Sequence, residues 1–180
     1  MFIEIIIAFL GIIIGLILAR FTKEELRPGK KYFIWFKKII LLILVVTLIH
    51  FSLTKIFFIR DFVFTLIGLI IGLFVGYFFK KEYFYFGFVL YLLAYTSSFL
   101  FISILIFLFG LPYGTLLFTK KYKYNTLLYD FIAFIFPLTL LPIFLYLINY
   151  PIINFYYIHS AFIAGITGAL FTLIFKVNKK

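Results

Sequence analysis

Two histidines and one asparagine are the side chains best suited to chemistry within the apolar runs of this chain. His50 lies in "VVTLIHFSLTK", and Asn154 and His159 lie in the first half of the last apolar run. A histidine in such a position relays a proton, binds a ligand or donates a hydrogen bond to a neighbouring helix. We predict His50, His159 and Asn154 as candidate polar residues inside the membrane, with all three roles open.

The residue sets of known enzyme chemistries are missing from the sequence. No pair of carboxylates at helical spacing faces a common site, and no metal-ligand motif such as H-E-x-x-H occurs. The chain has no cysteine, which excludes thiolate chemistry and disulfides. We therefore predict no catalytic residues, no metal, no cofactor and no enzymatic activity. The acidic residues, each near a predicted helix end, are Glu4, Glu24, Glu25, Asp61, Glu82 and Asp130.

The composition is that of a membrane protein. Hydrophobic residues make up 66% of the 180 residues and the mean hydropathy is +1.23, more than polar surface can cover in water. We predict an all-α, polytopic transmembrane helix bundle that forms one integral membrane domain, residues 1–180, in the cell membrane. The heavy use of Ile, Phe, Tyr and Lys is typical of an AT-rich prokaryotic genome.

The number of membrane spans depends on one uncharged stretch, Tyr83 to Phe118. Read as a single span that ends at Gly110–Pro112, it gives six spans. Read as a hairpin that turns near Thr96–Ser98, it gives seven, with a short first arm. The other predicted spans are residues 2–19, 39–58, 62–79, 127–148 and 152–175.

The distribution of basic residues favours seven spans. With seven, fifteen of the 17 Lys and Arg residues lie on the cytoplasmic side and only Lys55 and Arg60 lie outside; with six, the division is nine to eight. Cytoplasmic loops carry an excess of Lys and Arg. We predict seven spans with the N-terminus outside and the C-terminus cytoplasmic, and keep six as the alternative.

The basic segment 20–38 combines lysines with aromatic residues. This pattern is typical of an interfacial helix on anionic lipid headgroups, and it explains the net charge of +11 without nucleic acid. Within it, Thr22 and Glu25 have the spacing of a capping box, and Pro28–Gly29 predicts the end of a short turn. Docking of a cytosolic partner is the alternative role of this segment.

Small residues recur every fourth position in three of the apolar runs. Such rows lie on one face of a helix and let two helix backbones approach closely. Lipid gives no hydrophobic drive for helices to associate, so this close packing is what holds them together. We predict that these rows pack helices within the monomer, or against a membrane-protein partner or a second copy. The glycines concerned are Gly11, Gly15, Gly68, Gly72, Gly76, Gly165 and Gly168.

The first and third runs also align with each other at an offset of 57 residues, which pairs Gly11 with Gly68 and Gly15 with Gly72. This alignment predicts a hairpin repeat of residues 1–58 and 59–115, of the kind found in some transporters.

Prolines predict a bend in the sixth apolar run. Pro137 and Pro142 are five residues apart, and each prevents one backbone hydrogen bond of a helix. The resulting kink suits either a moving gate or a fixed bend.

Two functions agree with these features. A permease for a small solute or an ion, or a membrane subunit of a larger importer, accounts for the repeat and the kinked helix. A noncatalytic subunit or assembly factor of a membrane complex accounts for the small-residue rows and the shortage of polar groups.

Overall fold

The computed structural model describes residues 2–24, 26–54, 59–94, 96–119, 124–147 and 152–175. Within these ranges every regular element is an α-helix, which confirms the all-α prediction for the described part of the chain. The seven helices there are α1 Phe2–Phe21, α2 Leu26–Thr54, α3 Ile59–Phe78, α4 Glu82–Leu93, α5 Phe99–Thr119, α6 Tyr124–Leu147 and α7 Ile152–Phe175.

Four described helices are long and apolar enough to cross a membrane, which supports the prediction of a membrane protein. These are Ile3–Phe21, Pro28–Thr54, Asp61–Phe78 and Phe99–Thr119. Shorter apolar helical stretches cover Glu82–Leu93, Asn125–Leu140 and Ser160–Phe175 among the described residues.

The chain divides into two compact units. The first unit contains Met1–Leu44 and Leu93–Phe131, and the second contains Val45–Leu92 and Ile132–Lys180. Consequently α1 and α5 belong to the first unit, and α3, α7 and all of α4 but its last residue, Leu93, belong to the second. Helices α2 and α6 each contribute to both.

In the first unit, α1 and α5 pack with their backbones in direct contact. A Cβ atom added to Gly11 would overlap the carbonyl oxygen of Phe107, and one added to Gly15 would overlap that of Leu111. On the partner helix α5, a Cβ atom added to Gly114 would likewise overlap the backbone of α1. Because the contacting residue numbers rise together along both helices, α1 and α5 run parallel.

In the second unit, α3 and α7 pack in the same manner. A Cβ atom on Gly68 would overlap the carbonyl oxygen of Ala161, and one on Gly72 would overlap that of Gly165. These two helices are therefore also parallel. The other predicted packing glycines at this interface are Gly76, against Ala169, and Gly168, against the backbone of α3.

The two interfaces use corresponding positions. Contact residues of α1 map onto those of α3 at an offset of 57, and contact residues of α5 map onto those of α7 at an offset of 54. Gly15 and Leu111 thus correspond to Gly72 and Gly165. The correspondence includes α7, which lies outside the predicted hairpin repeat, so the repeat with those boundaries stays a prediction.

The uncharged stretch after Tyr83 forms two helices with a turn between them. α4 ends at Leu93 and α5 begins at Phe99, and the Thr96 hydroxyl donates a hydrogen bond to the Leu93 carbonyl at 2.8 Å. α5 then continues through Pro112 to Thr119, so the break at Gly110–Pro112 expected for a single span does not occur. A membrane helix accommodates proline because neighbouring groups satisfy the freed backbone carbonyl.

The helix that carries the basic segment begins earlier than the sequence predicts. α2 starts at Leu26, so Pro28 and Gly29 lie inside the helix and do not end a turn. Proline is tolerated in the first turn because its missing N–H has no helical partner there. The Thr22 hydroxyl donates to the Leu18 carbonyl at 3.0 Å and closes α1, so it does not cap α2. Glu25 lies outside the described residues.

We expect Gly72→Ala to lower the stability of the protein by about 2 kcal/mol, because the new methyl group would collide with a rigid backbone carbonyl. Gly165→Ala should cost less, since its Cβ would lie 3.3 Å from the Gly68 carbonyl oxygen. Gly29→Ala is the control: its Cβ would meet only the Phe33 side chain, at 3.2 Å. Thermal unfolding in detergent measures all three, and equal stability of Gly72→Ala and Gly29→Ala would disprove the close contact.

Candidate functional site

A buried carboxylate in the first unit is the centre of the strongest polar cluster among the described residues. Asp130, on α6, is 1% exposed. The hydroxyl of Tyr113, on α5, donates a hydrogen bond to Asp130 Oδ2 at 2.8 Å. A carboxylate is costly to bury without hydrogen bonds, so this contact offsets part of the cost of burying Asp130.

A lysine of α2 lies on the same tyrosine. The ammonium nitrogen of Lys37 is 4.8 Å from the ring centre of Tyr113 and 5.2 Å from that of Phe109. These two residues are four apart on α5, and their rings stack with centroids 5.8 Å apart. A cation over an aromatic face gains about 2 kcal/mol when it is removed from water.

Three helices therefore bring a base, a phenol and an acid together. Tyr113 lies six residues before the end of α5, and Asp130 lies six residues after the start of α6, each about 9 Å along its helix. Tyrosine can both donate and accept a hydrogen bond, and Tyr113 contacts both partners, Lys37 with its ring and Asp130 with its hydroxyl. Such an arrangement can hold a small cation or transfer a proton to and from the carboxylate.

The sequence of α5 explains how one helix serves both packing and site. Gly110 and Gly114 face the backbone of α1, where no side chain fits. Phe109 and Tyr113, each one residue earlier, form the aromatic surface under Lys37. The close approach of α1 and the aromatic surface are thus set by the same two turns of α5.

Of the predicted polar residues, only His50 has a described side chain. It is exposed on α2, and its ring centroid is 6.5 Å from that of its neighbour Phe51. The side chains of Asn154, His159 and Pro142 lie outside the described residues. His50 is therefore not part of the Asp130 cluster.

The proline predicted to bend α6 lies at a helix contact. α6 is assigned as one continuous helix from Tyr124 to Leu147. Pro137 is buried, and a Cβ atom on Gly87 of α4 would lie 3.2 Å from its Cδ and overlap the Phe134 carbonyl oxygen. Pro137 thus packs against a close approach of α4 in the second unit.

Sequence reasoning did not find the Asp130 cluster. The sequence pattern places Lys37 in the interfacial segment and Asp130 near a helix end, and it indicates no role for Tyr113. The available signal was Asp130 itself, an isolated acid that begins a long apolar run. Within the described part of the chain, no group of three or more His, Cys, Asp or Glu residues could hold a metal ion.

Comparison with protein-family models, curated proteins and solved structures found no match.

We expect Tyr113→Phe and Asp130→Asn to show a coupling energy of about 1 kcal/mol in a double-mutant cycle, the range of hydrogen bonds between membrane helices. Tyr129→Phe is the matched control, because Tyr129 is adjacent to Asp130 but 63% exposed. Unfolding in detergent supplies the free energies. Coupling within error of zero would show that the Tyr113–Asp130 hydrogen bond does not contribute to stability.

Proposed function

We propose that the protein is an integral membrane permease that conducts a small cation or couples its movement to a solute, with Asp130 as the residue that binds the cation. The single observation that supports this function is the cluster of the buried Asp130 with the half-buried side chains of Tyr113 and Lys37. Ionisable groups inside a membrane bundle are costly and commonly belong to ion or proton pathways. We place the protein in the cell membrane of a prokaryote as part of the same proposal.

The parallel helix pairs support a seven-span topology. In the first unit, the carboxyl ends of α1 and α5 lie on one side, and each helix is followed in sequence by basic residues. In the second unit, the same holds for α3 and α7. By the positive-inside rule, all four helices then cross from outside to cytoplasm, and α2, α4 and α6 return. A six-span arrangement would make α1 and α5 antiparallel.

The short helix α4 is compatible with this topology. Its twelve residues rise about 18 Å, less than the roughly 30 Å of a hydrocarbon core. The turn that follows is folded, with the Phe99 amide donating a hydrogen bond to the Thr96 carbonyl at 3.2 Å, so it adds little to the length of α4. Local thinning of the bilayer accommodates any difference.

A cysteine at position 119 tests the topology, because the chain has no other cysteine. We expect Thr119→Cys to resist a membrane-impermeant maleimide in intact cells and to react after permeabilisation. Lys55→Cys, predicted outside, is the control that should react in intact cells. Efficient labelling of Thr119→Cys from outside would exclude the seven-span arrangement.

Cation flux in liposomes tests the role of Asp130. With a potassium diffusion potential as the driving force and an enclosed pH dye, we expect protein-dependent proton uptake that falls at least tenfold in Asp130→Asn. His50→Leu should retain the flux, because His50 is exposed and outside the cluster. Sodium replaces protons as the probe in a parallel assay with a sodium-sensitive dye.

The alternative function, a noncatalytic subunit or assembly factor, gives opposite results. The protein alone would carry neither cation, and mild-detergent purification from native membranes would recover a partner in fixed proportion. Flux that is the same in wild type and Asp130→Asn would also count against the proposal, because it would remove the carboxylate from the pathway.

A further inference from the structure

An open apolar groove runs along one side of the second unit, between α3, α4 and α7. Its volume is about 460 Å³, within the size range of ligand-binding pockets. Small residues, among them Gly72 and Gly165, line it where α3 and α7 meet. Larger apolar side chains also line it, including Ile71, Phe88 and Phe162. A groove of this composition suits a hydrocarbon chain.

Two lysines lie close to one end of the groove. Val75 of α3 and Phe84 of α4 both line it, and residues 79–81 join these two helices. Lys80 and Lys81, in this connection, have exposed side chains. The connection therefore brings two positive charges to the end of the groove that Val75 and Phe84 form.

Side chains of the groove hold this connection in place. The hydroxyl of Tyr85, a groove residue that is 3% exposed, donates a hydrogen bond to the Phe79 carbonyl at 3.0 Å. The rings of Phe79 and Phe84 stack at 5.9 Å, and the Phe84 amide donates to the Lys81 carbonyl at 3.2 Å. The lysine segment is thus fixed against the aromatic end of the groove.

We propose that this groove binds one acyl chain of an anionic phospholipid, whose phosphate contacts Lys80 and Lys81. The groove matches the apolar part of such a lipid, and the lysines match its charge. A ligand with one charged end explains both features, whereas a helix from a partner protein would use the groove without the lysines. This site uses none of the residues of the basic segment 20–38 and does not depend on the permease proposal.

Native mass spectrometry of the purified protein tests the site, with phosphatidylglycerol and phosphatidylcholine of identical acyl chains as probes. We expect one phosphatidylglycerol to bind with a Kd at least fivefold lower than that of phosphatidylcholine. Ile71→Trp, which fills the groove, should weaken binding at least fivefold. Ile70→Trp is the matched control. Ile70 is exposed to a similar extent, 52% against 56% for Ile71, but it does not line the groove.

A second pair of variants tests the contribution of charge. These variants leave the groove intact, so they test the proposal even if Ile71→Trp fails to fold. Lys80→Ala/Lys81→Ala should remove the preference for phosphatidylglycerol, and Lys120→Ala/Lys121→Ala, an adjacent lysine pair between α5 and α6 in the sequence, should keep it. Equal binding of the two lipids to wild type would overturn the proposal. The proposal would also be overturned if oleate bound as tightly as phosphatidylglycerol. It would be overturned as well if a partner protein were found bound to the wild type and lost in Ile71→Trp.

Discussion

Direct contact between helix backbones is the interaction on which the rest of this structure depends. Lipid offers no hydrophobic drive for helices to associate, so van der Waals packing between them must supply the stability. At Gly11, Gly15, Gly68 and Gly72 any side chain would overlap a carbonyl of the partner helix. These contacts fix both the parallel direction and the register of each helix pair. The same turns of α5 carry Tyr113, next to Gly114, where it meets Lys37 and Asp130.

The two helix pairs share more than a sequence pattern. Constant offsets of 57 and 54 relate the contact positions of α1 and α5 to those of α3 and α7, and each pair joins helices that are distant in the chain. The polar features differ between the units: the first holds the Asp130 cluster, and the second holds the apolar groove with its two lysines. Similar packing therefore supports two different surfaces, which is consistent with separate roles for ion binding and lipid binding.

Much of the fold could be predicted from local sequence. The apolar runs gave α7 with its observed bounds, 152–175, and the turn near Thr96–Ser98 was one of two predicted alternatives. The sequence prediction was wrong at Pro28, where proline in the first turn begins a helix and does not end a turn, and the break expected at Pro112 does not occur because that proline lies buried inside α5. The Asp130 cluster could not be predicted because its members come from three helices, and no local pattern relates residues 37, 113 and 130.

The most direct test of this account is the direction of α5 relative to α1, measured as distances between spin labels on cysteines introduced into the cysteine-free chain. Labels at Ile3 and Leu100, both exposed, should lie close together, because Gly11 is level with Phe107. Labels at Phe21 and Leu100 should lie much further apart, because Phe21 is about 25 Å further along the axis of α1. The reverse order of the two distances would show that α1 and α5 are antiparallel, and would contradict both the glycine interface and the seven-span topology built on it.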